Sequence, residues 1–470
     1  MHASIHYSTL NSVAELIKQR EVSPVELTNH MLSRIEAVDK QLKSFATVMV
    51  EHALEAASRA ERQISSGHYR GPLHGVPIAV KDLCYTAGVR TMGGLRVRRD
   101  FVPDHDATVV AKLEAAGAIL LGKLNLTEGA LSAYHPNFDI PVNPWGSELW
   151  SGVSSSGSGV ATAAGLCFGC LGTDTGGSIR YPSMANGIVG LKPTYGRVSR
   201  YGVLALAESL DHVGPMTRSV KDAALILQAI AGHDPRDATS LHDPVPDIAS
   251  ALDANIAGLR IGVDESYIKE GTDSGLVTAI EGVIDILQQL GAELVEVSMP
   301  KSDPIELRKL WLPITGYEAL QAHADTFPSR AEEYGGYLRS VLELGMGMSE
   351  ADYNAVMEER WEYAELFKDK LARVDAVICP AGGFVFEADK QAQYGNAEAM
   401  QAIVKHFQGQ FTIPADLAGT PSLTLPCGFS NDGRPYAVQL LGSRLAELAL
   451  CRIGHAYEKA TEWHSQHPDV

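Results

Sequence analysis

The chain has 470 residues, 45% of them hydrophobic, and a formal net charge of −18. This length can bury a large core, whereas the acidity argues against nucleic acid or an anionic membrane surface as a partner. The N-terminal residues lack the layout of a signal peptide, and no apolar run approaches the roughly 18 residues of a membrane span. We therefore expect a cytoplasmic protein without a nucleic-acid or membrane partner.

Helical and strand patterns alternate along the chain. In the N-terminal helical segment, residues 1–70, Thr9 is a cap signal and Pro24 stands at the first turn of a helix. The later predicted elements, in chain order, are a strand within 72–81, a helix at 108–116, a strand at 118–121, helices at 158–166 and 219–231, a strand at 259–264, a helix near 275–291, a strand at 293–297, two long helices within 305–373, strands at 375–380, 422–426 and 437–442, and a helix from 445. This alternation predicts an α/β fold.

A Pro- and Asp-rich connector at 233–247 is predicted to be the boundary between two parts of the chain. It separates a core at 71–232 from a C-terminal α/β part at 248–470. From the residues alone, the later strands either form a second unit or rejoin the same sheet.

Two runs rich in serine and glycine, at 151–159 and 172–180, are the strongest chemical signal. Glycine lets backbone N–H groups approach a bound group closely, so a serine in such a loop lies beside donors for a developing oxyanion. The strand within 72–81 ends in Lys81, and burial there would favour the neutral, basic form of the lysine. Together these features predict an acyl-transfer site.

Other chemistries find less support in the sequence. Neither serine run matches the G-x-S-x-G elbow of α/β-hydrolases, and neither has the lysine of a phosphate-binding P-loop. The histidines show no metal-ligand spacing, and the C-x-x-C pair Cys167 and Cys170 has no second pair or histidine at zinc-finger distance, so we expect no metal. A Ser–His–Asp triad stays open because sixteen histidines are available, and a nucleotide-cradling loop is the next alternative.

Longer segments carry a resemblance to a known family. These are GPLHGVPIAVKD at 71–82, GVSSSGSGVATAAG at 152–165, the run from LGTDTGGSIR to VSRYG at 171–202, and SLDHVGPMTRSVKDAALIL at 209–227. In this order, and with Ser178 24 positions after Ser154, the chain resembles the amidase signature family from about residue 10 to about 460. The resemblance implies a twisted mixed β-sheet covered by α-helices, a single domain spanning 1–470, and hydrolysis of amide bonds without a metal or cofactor.

The resemblance also implies a Ser–Ser–Lys triad. Ser178 would be the nucleophile, and Ser154, which follows an unusual cis peptide in this family, would bridge Ser178 to Lys81. Lys81 would act as the general base, and burial must lower its pKa by roughly 2–3 for that role. The family usually has Gly-Gly before Ser154, whereas this chain has Gly152-Val153; the residue roles are unaffected by this departure.

Further residues receive roles from the same resemblance. The backbone N–H groups of Thr175, Gly176, Gly177 and Ser178 would form the oxyanion hole. Ser155 would hydrogen-bond near Lys81, and Asp174 and Arg180 would hold the loop as a local ion pair. Because successive residues of a strand point to opposite faces, we expect Asp82 to face away from Lys81.

The substrate is expected to be a small alkyl or aryl amide. Two groups of residues are candidates for the pocket, the first being Leu131, Tyr134, His135 and Phe138 and the second Trp311, Tyr317, Tyr337 and Leu344. The alternatives are the glutamine-hydrolysing A subunit of a tRNA-dependent amidotransferase, and a hydrolase of ureido, hydrazide or ester substrates. Residues 335–360 lack the arginine signature expected of the glutamine site, which favours a stand-alone amidase, as a monomer or homodimer.

Overall fold

A mixed β-sheet runs through the protein, whose computed structural model describes residues 4–300 and 303–470. Residues 1–3 and 301–302 of the predicted single domain lie outside this description. The strands are β1 (Phe45–Val48), β2 (Pro77–Lys81), β3 (Ile119–Leu124), β4 (Gly169–Asp174), β5 (Val189–Lys192), β6 (His212–Thr217), β7 (Arg260–Val263), β8 (Glu293–Glu296), β9 (Ala376–Pro380), β10 (Ser422–Phe429) and β11 (Pro435–Leu441). In the described chain they form one sheet in the order β1-β3-β2-β4-β6-β5-β10-β11-β9-β7-β8.

Helices cover this sheet. They are α1 (Leu10–Lys18), α2 (Pro24–Leu42), α3 (Val50–Ser65), α4 (Thr108–Ala115), α5 (Ser156–Ala163), α6 (Arg180–Asn186), α7 (Val220–Ile230), α8 (Ile248–Ala251), α9 (Glu265–Lys269), α10 (Ser274–Gln289), α11 (Pro304–Ala322), α12 (Gly336–Met346), α13 (Glu350–Leu371), α14 (Lys390–Gln393), α15 (Ala397–Val404), α16 (Ile413–Leu417) and α17 (Glu447–Lys459). The predicted mixed sheet with a helical cover is confirmed. Among the described helices, none has the length and apolarity that crossing a membrane requires.

Local signals set the first helices as the sequence predicts. The Thr9 side chain accepts a hydrogen bond from the Ser12 N–H at the start of α1. The Ser23 side chain caps α2, in which Pro24 occupies the first turn, where its missing N–H costs nothing.

The connector at 233–247 does not separate two sheets. Strand β5 lies before the connector and β10 after it, and the two pair antiparallel with Lys192 opposite Ser422. The two long helices predicted within 305–373 correspond to α11 and α13, and the shorter α12 lies between them. The break before α13 follows from Gly347 and from the capping box in which Ser349 and Asp352 exchange hydrogen bonds.

Candidate active site

Lys81 ends β2, an inner strand of the sheet that pairs in parallel with β3 on one side and β4 on the other. Its side chain is fully buried, and its Nζ donates hydrogen bonds to Ser154 Oγ (2.7 Å) and Thr173 Oγ1 (2.8 Å). Burial lowers the pKa of Lys81 to about 7, against the opposing effects of Cys84, Asp174 and Asp211. Within the described residues it forms no ion pair with a carboxylate. The site therefore holds an amine that is partly neutral near pH 7.

Asp82, the next residue, is also fully buried but has partners of its own. Its carboxylate accepts a hydrogen bond from the Met92 N–H, and its principal charged neighbour is Lys123. Burial raises the pKa of Asp82 to about 6. The carboxylate is thus engaged away from Lys81.

Ser154 lies in the first serine-rich loop, just before α5. The peptide between Val153 and Ser154 is cis. Gly152 has a φ of +82°, and a Cβ there would lie 2.3 Å from Pro182 Cα, so the position requires glycine. The next position tolerates a side chain, because Val153 is buried and forms part of a cavity wall.

Ser178 lies in the second loop and is half-buried, at the surface of the same cavity. The two loops are joined where the Ser155 N–H donates to the Ser178 carbonyl (3.3 Å). The Ser178 hydroxyl forms no hydrogen bond within the part of the chain that is described. The bridge from Ser154 to Ser178 therefore stays a prediction.

The loop from 175 to 178 offers three uncommitted backbone donors. The N–H groups of Thr175, Gly176 and Ser178 bond to no other group in residues 4–300 and 303–470. In contrast, the Gly177 N–H donates to Asp174 Oδ1 (2.6 Å). The prediction is corrected for Gly177, because its N–H is taken up in holding the loop.

Ser155 supports the lysine indirectly. Its Oγ exchanges hydrogen bonds with the backbone N–H and carbonyl of Thr173 (3.2 Å each), and the Thr173 hydroxyl in turn contacts Lys81. Thr173 was missed by the sequence reasoning. The signal that would have identified it is the parallel pairing of β2 with β4, which brings the ends of both strands together.

Asp174 and Arg180 form the predicted ion pair, but within a larger buried cluster. Arg180 Nη2 lies 2.9 Å from Asp174 Oδ1 and 2.6 Å from Asp416 Oδ2, and all three side chains are inaccessible to solvent. Arg180 also donates to the Thr412 carbonyl and to Gln439 Oε1. The cluster fixes the loop that carries Ser178.

The charges of this cluster explain its pKa shifts. Burial alone would raise the pKa of Asp174, but Arg180 lowers it to well below the usual range. Burial together with the charge of Asp174 raises the pKa of Asp416 well above its ordinary value.

We expect Arg180→Leu to lower the free energy of unfolding by about 3–5 kcal/mol, because it leaves Asp174 buried without its cation. Denaturant unfolding followed by circular dichroism measures the change. The control is Arg373→Leu, which removes an exposed arginine paired with Asp369 on α13 and should cost less than about 1 kcal/mol. Equal, small losses for both variants would contradict a stabilising role for the cluster.

The cavity beside Ser178 is mainly apolar. Its walls include Leu131, Val153, Leu206, Trp311, Phe407 and Ile413. Of the pocket candidates, Leu131 and Trp311 line this cavity, and their role in binding substrate stays a prediction. This arrangement suits an apolar acyl or aryl group next to the nucleophile.

The other pocket candidates lie elsewhere, which corrects the prediction for them. Tyr134 is buried with its hydroxyl bonded to Ser156 Oγ (2.7 Å), and His135 packs edge-on against Phe138, with ring centroids 6.0 Å apart. In the second group, Tyr317 stacks on Tyr353. Tyr337 contacts the cavity residue Arg308 but is not itself part of the wall, and Leu344 is exposed.

A second, polar cavity of about 310 Å³ lies beside the first and shares Ala130 and Leu206 with it. Thr173, Asp211 and His212 contribute to its lining, whereas Ser178 does not. We therefore take the apolar cavity as the candidate acyl site. The described residues contain no cluster of three or more His, Cys, Asp or Glu side chains arranged to bind a metal.

Comparisons with known proteins agree over nearly the whole chain. The Amidase family model matches residues 26–451. The protein named "Putative amidase AmiD" of Mycobacterium tuberculosis is 43% identical over 461 residues, which cover 98% of this chain and 96% of the relative. The A subunit of the glutamyl-tRNA(Gln) amidotransferase of Geobacter metallireducens is 40% identical over 482 residues, covering 97% of this chain and 98% of that protein.

The fold is also found among solved structures. The native peptide amidase of Stenotrophomonas maltophilia superposes with a TM-score of 0.85 at 29% identity, and the match covers 98% of both chains. The likeness therefore includes both sides of the connector at 233–247.

Proposed function

Because this chain belongs to the amidase signature family and is a hydrolase of amide C–N bonds, we propose that its substrates are small alkyl or aryl amides, including anilides. The observation that carries this proposal is the apolar cavity that borders Ser178. The Lys81 amine donates a hydrogen bond to Ser154 Oγ, and among the described residues no carboxylate lies within ion-pair distance of it. No metal or cofactor enters the proposed reaction.

The proposed reaction begins with neutral Lys81. Lys81 takes the proton of Ser154 while Ser154 takes that of Ser178, and the Ser178 oxygen attacks the amide carbonyl. The C–N bond then breaks as Lys81 returns the proton through Ser154 to the leaving nitrogen. A water molecule repeats the sequence on the acyl-enzyme, releasing the carboxylic acid and restoring Ser178.

The negative charge that develops on the carbonyl oxygen needs hydrogen-bond donors. The uncommitted N–H groups of Gly176 and Ser178, both at the cavity surface, are the proposed donors, with Thr175 beside them. Losing one such donor typically costs about 3–4 kcal/mol of transition-state stabilisation. Asp174 holds Gly177 and thereby the shape of this loop.

A second candidate function is that of the glutamine-hydrolysing component of an amidotransferase, which is favoured by the 40% identity to such a protein. In that role glutamine would be the amide donor, and activity would depend on partner subunits. The apolar lining of the cavity favours the stand-alone amidase instead.

We expect the isolated protein to hydrolyse benzamide or acetanilide with a kcat/KM at least tenfold higher than that for glutamine. Burial of apolar surface contributes about 25 cal/mol per Å², so an aryl ring that buries on the order of 100 Å² gains about 2–3 kcal/mol. Ammonia or aniline release by the purified chain measures this. If glutamine is the best substrate, or turnover requires co-expressed partners, the amidotransferase function replaces the proposal.

A further inference from the structure

One face of α11 forms a wall of the cavity beside Ser178. Pro304, Arg308 and Trp311 all contact the cavity, and their spacing of four and three residues places them on the same side of the helix. Trp311 packs directly on the loop from 175 to 178, where its Nε1 donates a hydrogen bond to the Thr175 carbonyl (2.8 Å). This face of α11 therefore extends along the cavity wall, starting beside the proposed reaction centre at Trp311.

Arg308 is the one charged residue among the described residues that line this cavity. Its Nη2 donates to the hydroxyl of the buried Tyr337 (2.7 Å), which holds the guanidinium in place. In the described part of the chain, no carboxylate lies within ion-pair distance of it. The remaining N–H groups are therefore free to bind an anion.

A fixed guanidinium at the edge of an apolar cavity has a clear preference among ligands. Arginine binds carboxylates through two parallel hydrogen bonds, and the low polarity around it strengthens this attraction. An uncharged substrate would leave the guanidinium without a charged partner. The net charge of the whole chain is −18, so its long-range field does not favour anions and a local cation must supply the attraction.

We propose that Arg308 forms an anion subsite, and that the preferred substrates are amides whose short apolar body carries a carboxylate. This inference rests on the proposed function. Arg308 lies three residues before Trp311, or about 4.5 Å along the helix axis. Because Arg308 and Ser178 line the same cavity, we expect a short spacer between the scissile amide and the carboxylate.

The residues that line the cavity should also favour such substrates over glutamine. No Asp or Glu is among its described residues, so the cavity offers no carboxylate to the α-ammonium group of glutamine. Glutaramate has the same chain, amide and carboxylate but lacks that ammonium group. It should be hydrolysed with a higher kcat/KM than glutamine.

The test compares half amides of dicarboxylates, from malonamate to adipamate, with uncharged alkyl amides of equal length. We expect the best half amide to exceed its uncharged counterpart in kcat/KM by tenfold or more, and Arg308→Gln to remove that ratio chiefly through KM. Arg308→Lys should retain part of it. A second pair, 4-acetamidobenzoate and N-(4-tolyl)acetamide, shows whether the anion belongs to the leaving group instead.

Lys309→Gln is the matched control, because it removes a neighbouring positive charge from α11 that is exposed and paired with Glu306. It should leave the ratio unchanged. Equal ratios in wild type and Arg308→Gln, or equal effects of the two variants, would overturn the anion subsite while uncharged amides are still hydrolysed.

A failure of the proposed function can be distinguished from a failure of the anion subsite by measuring binding. If no amide is hydrolysed, calorimetric titration of glutarate into the wild type and Arg308→Gln still tests the subsite. Tighter binding to the wild type, with the difference reduced at high salt, supports it. Equal binding to both proteins overturns it.

Discussion

Ser178→Ala is expected to lose amide hydrolysis by about 10⁴-fold to 10⁶-fold, the range seen when a serine nucleophile is removed. The attacking oxygen is then absent, so no acyl-enzyme forms and the base has no partner. The fold should be retained, because the hydroxyl forms no hydrogen bond within the described residues. Initial rates with benzamide or acetanilide measure the loss.

A fluorophosphonate provides an independent measurement of the same assignment. Mass spectrometry should place its adduct on Ser178 in the wild type and find none in Ser178→Ala. Ser132, which also lines the cavity, supplies the control, since Ser132→Ala should still be labelled on Ser178. An adduct on another residue, or an active Ser178→Ala variant, would refute the nucleophile.

Lys81→Ala is expected to remove most of the activity, by roughly 10²-fold to 10⁴-fold, the usual contribution of a general base. The wild-type rate should rise with pH through an apparent pKa near 7, the value to which burial lowers the pKa of Lys81. The rate should rise with pH because only the neutral amine of Lys81 accepts a proton, and the neutral fraction grows as pH increases.

The matching comparison is Lys81→Arg, which keeps a cation that cannot lose its proton near neutral pH and should be as inactive as Lys81→Ala. Incubation with EDTA should leave the wild-type rate unchanged. A rate that falls as pH rises from 6 to 8, or inactivation by EDTA that a divalent metal reverses, would contradict the proposed base.

Local sequence signals were sufficient to locate the strand that carries Lys81 and the two serine loops. These signals are an apolar run that ends in lysine and glycine-rich segments between helices. Each of them can be read from a few consecutive residues. The strands β1, β4, β5 and β6 were not predicted. Strand β1 has only four residues between two helices, whereas β4, β5 and β6 contain glycine or proline and are buried throughout. Such strands show no alternation of apolar and polar residues.

The cavity walls depend on contacts that the sequence does not reveal. Trp311 contacts a loop 136 residues earlier in the chain, and the helices that bring it there pack through tertiary contacts. Tyr134 has the composition of a pocket residue, yet its hydroxyl finds Ser156 inside the protein. The presence of aromatic residues in a loop therefore did not indicate whether they line the cavity or pack in the core.

The Arg180 cluster has a consequence for how the protein is made. All three side chains assigned to the chemistry occur before residue 179, whereas Asp416 and Gln439, which hold Arg180, follow it by 236 and 259 residues. Contacts that span so much of a chain form late in folding. During synthesis, which proceeds from the N-terminus, the emerging polypeptide thus carries its nucleophile long before the ribosome has produced the groups that lock the surrounding loop.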